Sequence, residues 1–470
     1  MAKQAAWLSE GTERYRVIIV GAGPAGIFAA LELTRAGVDG ILLLEKGPDL
    51  ADRQRLGRGG SMLAGWGGAG AYSDGKLALS TEIGGFMDQY CTPGQLAELV
   101  EYVDETYRAF GAPAELHGSD AEAVARLQRQ AARLDMKLIP SRYRHLGTEG
   151  CGELLGKLRA HLAGQVAIRC GSPVAQIILG EGNSAAGVRL EDGTEIAADY
   201  VILAPGREGS AWLAQEAKRL NLQTTINPVD IGLRVEVPAS VMEEITRVTY
   251  EAKIIYYTRR FEDMVRTFCM CPYGEVIRED LGGLYTVNGH SYAHHKTANT
   301  NFALLVSKTF TEPFREPIAY GQHIARLANM LGGEVIVQRL GDLRQGRRST
   351  PTRIKRGLVE PTLREATPGD LSLVLPYRYL ANILEMLEAL DRLVPGVNSI
   401  HTLLYGVEVK FYSLQLRLGP DLETEVTNLF AIGDGAGVSR GLVQASASGV
   451  LAARSIATRV KGQDLGDRKR

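Results

Sequence analysis

The hydrophobic pattern near the N-terminus predicts a buried strand, a helix and a second buried strand. Residues 15–20 (YRVIIV) and 41–46 (ILLLEK) are short runs of aliphatic and β-branched side chains, typical of strands covered on both faces. Between them, residues 27–37 (IFAALELTRAG) have helical spacing and end at a glycine. A glycine-rich turn, GAGPAG at residues 21–26, joins the first strand to this helix. The order is that of a strand–helix–strand unit with parallel strands.

The pattern changes in the middle of the chain and then returns. After residue 164 it predicts short strands that end in APG at residues 204–206, with a hairpin turn at residues 191–193. Residues 225–395 mix strand-like runs with two helices and contain no second G-x-G-x-x-G motif, which indicates an inserted domain. From residue 400 short strands return, and a helix rich in Gly, Ala and Ser follows them.

The turn at residues 21–26 has the spacing of a dinucleotide-binding loop. Gly21 permits a tight turn, Gly23 lets the backbone approach a pyrophosphate, and Gly26 lets the helix pack on the strand. The helix N-terminus offers N–H groups and partial positive charge to the phosphates. Glu45 ends the second strand, where a carboxylate accepts hydrogen bonds from ribose hydroxyls. A purely structural turn is the alternative. The predicted contacts are Gly21, Gly23, Pro24, Ala25, Gly26, Glu45 and Lys46.

Two later segments favour FAD over NAD as the bound cofactor. Residues 200–206 (YVILAPG) and 428–435 (NLFAIGDG) are buried strands that end in glycine turns. Both resemble the secondary signatures of the glutathione-reductase-type FAD superfamily. The resemblance implies that Asp434 binds the FAD ribitol and that the following helix directs its N-terminus to the flavin N1–C2=O edge, where it stabilises the anionic reduced flavin. The contacts implied are Val174, Ala204, Pro205, Gly206, Gly433, Asp434, Gly441, Leu442 and Val443.

A second glycine cluster, GWGGAGAYSDGKL, occupies residues 65–77. Its glycines let the backbone lie against a cofactor and donate N–H groups to it. A comparable loop in related flavoproteins wraps the pyrophosphate and the flavin edge, often with a basic residue, here Arg58. Lys76 is the candidate for the flavin N5 or C4=O, with a solvated lysine as the alternative. The predicted contacts are Arg58, Gly65, Trp66, Gly67, Gly68 and Ala69.

Five segments spread over nearly the whole chain resemble one bacterial family, the uncharacterised FAD-dependent dehydrogenases, also called NAD(FAD)-utilising dehydrogenases. The resemblance implies a flavoprotein oxidoreductase and leaves its reaction open. NAD(P)H as a transient donor, a separate electron-transfer partner, or the substrate alone would then reduce the flavin. The segments are residues 65–77, 340–350, 366–376, 406–413 and 431–449.

Candidate catalytic residues lie in the strand GVEVK and in a histidine-containing segment. Glu408 and Lys410 alternate along the strand, so both side chains point to one face. They form either a buried acid–base pair with shifted pKa values or an ion pair on a solvated face. Tyr412 continues that face as a possible proton donor. His290 is a candidate substrate-facing histidine, and the loop composition around it argues against a metal site.

A basic stretch between residues 342 and 356 is the candidate substrate-binding segment. Arg347 and Arg348 suit a carboxylate or phosphate on a small molecule, or RNA phosphates. The absence of interleaved aromatic residues disfavours nucleic acid. His294 and Asn301 complete the predicted substrate site. An FAD-dependent RNA-modifying enzyme, and a non-catalytic flavoprotein that serves as a scaffold or maturation factor, are the alternatives to a dehydrogenase or reductase acting on a small anionic substrate.

The predicted fold class is α/β: a Rossmann-like FAD-binding domain with a three-layer sheet and a β-meander, plus an inserted α+β substrate domain. We expect that insert to cap the flavin. The predicted boundaries are residues 12–80, 136–225 and 396–460 for the discontinuous FAD-binding domain, 81–135 for a helical insertion, 226–395 for the cap and 461–470 for a tail.

Composition adds little to this picture. The chain has 470 residues, of which 45% are hydrophobic, and its net charge of −1 gives no general attraction to nucleic acid or to anionic membranes. Its five scattered cysteines argue against a disulfide framework, and Cys269-Met-Cys271 does not have the C-x-x-C spacing of a redox dithiol. We expect a soluble cytoplasmic protein without a metal or a membrane partner.

Overall fold

The computed structural model describes residues 12–56, 63–225, 227–292, 295–310, 313–314, 316–412 and 414–467. The chain forms two compact units. Unit 1 comprises residues 1–114, 144–227 and 413–470, and unit 2 comprises residues 115–143 and 228–412.

These boundaries differ from those drawn on the sequence. The sequence-based division places residues 136–143 and 396–412 in the FAD-binding domain, whereas the structure places them in unit 2. The reason is strand pairing: residues 136–139 and 403–410 form strands whose partners belong to unit 2. The segment 81–135 is divided, because residues 81–114 belong to unit 1 and the remainder to unit 2.

Unit 1 contains a seven-stranded sheet. Numbered in chain order, its strands and further short strands are β1 (Arg14–Val20), β2 (Ile41–Leu44), β3 (Lys76–Leu79), β6 (Ala167–Arg169), β7 (Val174–Leu179), β8 (Ala185–Leu190), β9 (Glu195–Leu203), β10 (Thr224–Thr225), β20 (Gln415–Leu416) and β21 (Leu429–Ala431). Its helices are α1 (Pro24–Arg35), α2 (Leu50–Leu56), α3 (Pro93–Ala109), α5 (Gly147–Leu162), α6 (Ser210–Arg219) and α12 (Leu442–Asp467). Short 3₁₀ turns occupy Gly68–Tyr72, Met87–Gln89 and Asp434–Ala436.

The sheet of unit 1 combines a parallel core with an antiparallel meander. Its strand order is β6-β2-β1-β9-β8-β7, and β21 also pairs with β9. The pairs β6–β2, β2–β1, β1–β9 and β9–β21 are parallel. β7, β8 and β9 form the predicted antiparallel meander. The predicted α/β class with a Rossmann-like sheet is therefore confirmed.

Unit 2 contains an eight-stranded sheet in the order β18-β17-β19-β11-β16-β13-β12-β4, and a separate hairpin of β14 and β15. Its strands are β4 (Met136–Ile139), β11 (Val229–Pro238), β12 (Lys253–Tyr257), β13 (Met264–Cys271), β14 (Glu275–Asp280), β15 (Tyr285–His290), β16 (Asn299–Lys308), β17 (Ile336–Arg339), β18 (Thr367–Pro368) and β19 (Leu403–Lys410). β5 (Arg142–His145) crosses the boundary between the units. The helices are α4 (Ala121–Ala132), α7 (Ala239–Thr249), α8 (Pro317–Gly332), α9 (Leu340–Arg344), α10 (Pro351–Lys355) and α11 (Tyr377–Asp391), with a 3₁₀ turn at Leu371–Leu373.

The two faces of the unit 2 sheet differ in chemistry. One face carries residues such as Ile231, Leu233, Leu304 and Val306, which form an apolar core with side chains of α7, α8 and α11. Because side chains alternate along a strand, the intervening positions point to the other face. There the aligned strands bring together charged and polar side chains, which are Asp230, Arg234, Glu236, Arg266, Asn301, Ser307, Glu408 and Lys410.

Candidate functional site

Four adjacent parallel strands of unit 1 end at one edge of the sheet. In the spatial order β2, β1, β9, β21, their carboxyl ends lead into Glu45, residues 21–26, residues 204–206 and residues 433–434. The chain runs outward from β1 to β2 and β6, then returns to β9 and β21 on the other side of β1. Such a reversal of strand order opens a crevice at the carboxyl ends, where open α/β sheets bind ligands. The fold thus gathers the sequence motifs that predict cofactor binding.

The three motif glycines have the different surroundings that a dinucleotide loop requires. Gly21 has φ +111°, and a Cβ on it would lie 2.1 Å from the Ala204 carbonyl oxygen. A Cβ on Gly26 would lie 2.0 Å from the Gly21 oxygen. Gly23 differs, because no atom lies within 4 Å of its Cβ position. Protein fills the space around Gly21 and Gly26, while the space beside Gly23, at the N-terminus of α1, is open to a ligand.

Glu45 organises the backbone on both sides of the strand ends. Its side chain is buried, and its Oε2 accepts the Ala22 N–H at 2.8 Å. Its Oε1 accepts the N–H groups of Gly47 at 2.8 Å and Gly65 at 2.9 Å. A carboxylate has about four acceptor positions, so one remains for a ribose hydroxyl. Glu45 joins the two glycine-rich segments, a role that the motif did not predict.

Several N–H groups of the glycine cluster at residues 65–70 have acceptors within the chain. Gly67 N–H donates to the Ala22 oxygen at 2.8 Å, and Gly68 N–H donates to the Gly65 oxygen at 2.8 Å. Gly65 N–H is held by Glu45. Loop closure therefore already satisfies the N–H groups of Gly65, Gly67 and Gly68, and the predicted contact of this segment with a cofactor stays a prediction. What the glycines provide is close approach: a Cβ on Gly68 would lie 3.2 Å from Gly23 Cα.

Trp66 anchors this loop in the protein interior. Its side chain is fully buried, and its Nε1–H donates to the Leu155 oxygen at 3.1 Å. Arg53, also buried, donates to the oxygens of Trp66 at 2.7 Å and Gly68 at 2.9 Å. Burial lowers the pKa of Arg53. The side chains of Trp66 and Arg53 therefore fix the conformation of the loop. Ala69 lies in the 3₁₀ turn that follows.

Asp434 lies beside the N-termini of α1 and α12. Its Oδ1 accepts the Ser439 hydroxyl at 2.6 Å, and Gly433 N–H donates to the Ser448 hydroxyl at 3.0 Å. A Cβ on Gly449 would lie 2.2 Å from the Ala25 oxygen, so glycine allows the two helices to cross closely. The first-turn N–H groups of α12, at Leu442 and Val443, have no acceptor inside the helix.

The remaining predicted contacts of unit 1 fall into two groups. Gly206 has φ +62° and no atom within 4 Å of its Cβ position, so it borders open space like Gly23. Lys46 forms an ion pair with Glu208 at 3.1 Å, while Val174 is buried at the start of β7. Ala204, Pro205 and Gly441 lie at the turns that their motifs predict. The open positions at Gly23 and Gly206, the N-termini of α1 and α12 and the remaining acceptor position on Glu45 fit FAD.

Lys76 is a buried ion-pair partner and not the solvated lysine of the alternative reading. Its Nζ lies 3.0 Å from Asp74 Oδ2, and the two side chains are 8% and 12% exposed. Whether it approaches a flavin stays a prediction. Arg58 lies outside the described residues.

In unit 2, Glu408 and Lys410 share a face of β19, as predicted, and their charges are buried. Lys410 Nζ lies 3.1 Å from Glu408 Oε1. Arg234 contacts the same carboxylate at 3.2 Å, and neither Arg234 nor Glu408 is exposed to solvent. Burial lowers the pKa of Lys410, but the negative charges of Glu408 and Glu279 outweigh it and hold that pKa above its ordinary value. The solvated-face alternative is therefore wrong.

A second ionic cluster lies on the same face. The Tyr412 hydroxyl donates to Asp230, and Arg266 Nη2 lies 2.5 Å from Asp230 and 2.9 Å from the Tyr412 oxygen. Ser307 also donates to Asp230. Burial raises the pKa of Asp230, but Arg266 and the hydroxyl donors outweigh it, and the pKa is lowered overall. Tyr412 is thus tied to an ionised carboxylate.

The predicted substrate-binding residues are separated in unit 2. Asn301 is fully buried, and its Oδ1 accepts Arg234 Nε–H at 2.8 Å. Its Nδ2 has no partner among the described residues. His290 is buried at the end of β15, and His294 lies outside the described residues. Arg347 pairs with the buried Asp342 at 2.9 Å, and Arg348 is exposed. The basic stretch is therefore partly neutralised by an internal carboxylate.

Arg234 is the main residue that sequence reasoning missed. It stands in the strand PVDIGLRVEVP, where Asp230, Arg234 and Glu236 occupy positions of one parity and apolar residues occupy the other. A charged residue every second or fourth position in an otherwise apolar strand indicates a polar face. The sequence pattern thus indicated a polar face, but only the pairing with neighbouring strands shows that Glu408 is the partner of Arg234.

These features define a flavin-binding α/β protein, and the family comparisons agree. Residues 16–269 match the FAD dependent oxidoreductase family, residues 228–411 match a family described as "FAD-dependent protein, C-terminal domain-like", and residues 365–464 match "Glucose inhibited division protein A". The first match covers more than half of the chain. The protein belongs to the FAD dependent oxidoreductase family, and it is an FAD-binding oxidoreductase.

Individual relatives are distant. An uncharacterized protein of Clostridium beijerinckii is 28% identical over 492 residues, covering 96% of this chain and 82% of the relative. Among solved structures, 3-ketosteroid-Δ4-(5α)-dehydrogenase from Rhodococcus jostii RHA1 is 14% identical with a TM-score of 0.46, covering 97% of this chain and 99% of that one. L-proline dehydrogenase from P. horikoshii is 12% identical with a TM-score of 0.44, covering 95% and 94%. At these values the solved structures say nothing about this chain's substrate.

Among the described helices, none combines the length and the apolar character needed to cross a bilayer.

Proposed function

We propose that the protein is a dehydrogenase or reductase that transfers a hydride between FAD and a small organic substrate bearing a carboxylate or phosphate. The supporting observation is the charge balance of the buried group on the unit 2 sheet. Two cations, Arg234 and Lys410, share the single carboxylate of Glu408. Glu279, the next acid, lies 3.9 Å from Lys410 and is partly exposed.

Two cations close together in a largely buried site favour an anionic ligand. Coulomb attraction is stronger where water is excluded, and a charge-assisted hydrogen bond contributes about 1.5–3 kcal/mol. The raised pKa of Lys410 keeps the ammonium protonated at neutral pH. Lys410 therefore acts as a donor to the substrate anion and not as a general base.

The chain's own residues have separate tasks in this proposal. Bound FAD supplies the hydride chemistry. Gly23, Gly206 and the N-termini of α1 and α12 bind and orient it, Lys410 holds the substrate anion, and Arg234 holds the Glu408 carboxylate in place. Asn301 fixes the Arg234 guanidinium through its Oδ1. Membership of the NAD(FAD)-utilising dehydrogenases, a cap role for unit 2 and reduction by NAD(P)H belong to the same proposal.

Ligand binding to the FAD-loaded protein tests this assignment. Flavin absorbance is recorded during titration with a panel of mono- and dicarboxylates and phosphate esters, for the wild type, Lys410→Met and the exposed control Lys355→Met. We expect Lys410→Met to weaken binding of the best anion about tenfold or more, because one charge-assisted contact is lost. Lys355→Met should bind like the wild type. Equal affinity in Lys410→Met would refute the anion role.

A stopped-flow experiment separates an enzyme from a flavoprotein scaffold. The FAD-loaded protein is mixed with NADH or NADPH, or with each anion that perturbs the flavin spectrum, and flavin bleaching is followed. Bleaching by any of these supports a redox enzyme. Retention of FAD without bleaching by any donor or ligand would favour the scaffold alternative.

A further inference from the structure

Strand β13 carries two cysteines at an irregular point. Phe268 pairs with Ala303 and Cys271 pairs with Asn301, so three steps along β13 match two steps along β16. The extra residue is a β-bulge. Cys269 has φ +44°, a left-handed conformation that is rare for a residue with a side chain. The bulge sends Met270 into the apolar core, while Cys271 aligns with the polar position of Asn301.

The bulge places the two sulfur atoms within reach of each other. Their Sγ atoms lie within 4.8 Å, and the Cys271 thiol is 3.4 Å from the Cys269 carbonyl oxygen. Residues two apart in a strand are separated by about 6.6 Å along it, and a bulge shortens this distance. Disulfide-bonded residues have Cα separations of about 4.4–6.8 Å, so rotation of the side chains can close the S–S bond.

Arg234 is a cationic neighbour of this pair. Its Nη2 lies 3.4 Å from Cys271 Sγ and 2.6 Å from the Cys269 oxygen. A fixed cation beside a thiol favours the thiolate, which is the reactive form. Glu408 balances part of that charge and also pairs with Lys410, which has Glu279 as a second acidic neighbour.

The three other cysteines lie in environments that suppress reactivity. Burial raises the pKa of Cys151 to about 12 and that of Cys170 to about 12, with nearby carboxylates adding to the effect. Burial also raises the pKa of Cys91. The chain therefore contains its own internal controls for thiol chemistry.

We propose that Cys269 and Cys271 form a redox-active dithiol that undergoes thiol–disulfide exchange with a small disulfide of the glutathione disulfide class. The Cys269 thiolate, which is partly accessible, attacks one sulfur of the small disulfide and releases one thiol. The Cys271 thiolate then attacks Cys269 Sγ in the mixed disulfide and releases the second thiol. The protein loses two electrons and two protons, and the small disulfide is reduced to two thiols. Arg234 stabilises the resolving thiolate.

The C-x-C spacing argued against a redox dithiol from the sequence. That argument assumes a regular strand, in which the two sulfur atoms have no special proximity. The bulge brings the two sulfur atoms close together, and the buried guanidinium of Arg234 favours the thiolate. The C-x-C spacing alone predicts neither effect. The inference is independent of the proposed substrate, because neither flavin nor its ligand takes part in the exchange.

Peptide mass spectrometry on the full-length FAD-loaded protein tests the proposal. The protein is incubated with glutathione disulfide, the remaining thiols are alkylated, and trypsin releases residues 267–278, which contain Cys269 and Cys271 and no other cysteine. We expect this peptide to lose two hydrogen atoms by forming an internal disulfide, while the peptides with Cys91, Cys151 and Cys170 are alkylated as thiols.

Two variants identify the role of each sulfur. In Cys271→Ser a mixed disulfide with glutathione should persist on Cys269 about tenfold longer than in the wild type, because the resolving thiolate is missing. In Cys269→Ser neither product should form. A persistent mixed disulfide in the wild type, no reaction of the peptide, or equal oxidation of Cys170 would each refute the proposal. The wild-type measurement decides the question even if a variant does not fold.

Discussion

Replacing Glu45 by Gln tests whether this residue holds the two glycine segments together before any cofactor binds. The carboxylate accepts three backbone N–H groups, from Ala22, Gly47 and Gly65, and it is 6% exposed. A glutamine has nearly the same shape but only one acceptor oxygen. If that oxygen keeps the bonds to Gly47 and Gly65, the NH₂ group must face the N–H of Ala22, and two donors oppose each other.

The cost follows from the bonds lost. Two charge-assisted bonds become neutral ones, and one donor is left buried without an acceptor. A bond to a charged group contributes about 1.5–3 kcal/mol, and an unsatisfied buried donor costs about 1–3 kcal/mol. We therefore expect Glu45→Gln to lower the free energy of unfolding of FAD-free unit 1 by about 3 kcal/mol.

Urea unfolding followed by tryptophan fluorescence measures this change in the right part of the protein. Trp66 and Trp212 belong to unit 1, and residues 115–143 and 228–412 contain no tryptophan. Glu208→Gln is the matched control, since Glu208 is 39% exposed and pairs with Lys46 at the same edge of the sheet. It should change stability by less than about 0.5 kcal/mol. The reasoning is refuted if Glu45→Gln without FAD is as stable as the control.

Three further predictions concern single contacts. Gly23→Ala should leave stability nearly unchanged, because its Cβ meets no atom within 4 Å, but should weaken FAD binding about tenfold or more by blocking phosphate approach. Gly94→Ala, equally open at the start of α3, is the control, and unchanged FAD affinity in Gly23→Ala counts against the site. Lys76→Met should destabilise unit 1 by about 3 kcal/mol, because it removes the charge that pairs with the largely buried Asp74, and Asp74→Asn/Lys76→Met should recover most of this loss. An unchanged stability of the single variant contradicts a stabilising role of the pair. Burial raises the pKa of Asp263, but bonds from Arg378, Lys308 and Asn382 hold it below its ordinary value. The ion cluster stabilises the folded form fully above pH of about 4, and this contribution declines as the pH falls and is lost only below the lowered folded pKa. Asp263→Asn should therefore speed hydrogen exchange in α11 more at pH 7 than near pH 3, and an equal effect at both pH values would exclude this ion cluster as the cause.

Local sequence motifs predicted the cofactor site because each motif is complete within a few residues. The spacing of Gly21, Gly23 and Gly26 predicted three steric requirements, and in the structure each glycine meets one of them. The apolar runs on either side of the glycine turn predicted parallel strands, since strands that are apolar throughout must be covered on both faces. The position of Glu45 at the end of β2 was also readable, but its three backbone donors were not, because they come from segments up to 23 residues away.

Contacts between strands that are far apart in the sequence were not predicted. Residues 396–412 look like a return to the first domain, yet β19 pairs with β11 and β17 in the other unit. Pairing partners in an antiparallel sheet depend on the whole topology and not on the pattern of one strand. The same limit hid Arg234, whose partner Glu408 is 174 residues away.

By itself, then, the sequence determined the flavin-binding fold and the strand ends that form its crevice, because periodicity and glycine spacing are local properties of the chain. Tertiary structure alone decided that the Gly65 to Gly68 N–H groups close a loop, that Glu408 and Lys410 are buried with Arg234, and that a bulge brings Cys269 and Cys271 together. These outcomes depend on which groups meet in space and on how far water is excluded from them. Hydrogen-bond satisfaction and the balance of buried charge are properties of the assembled sheet, and no single strand carries them.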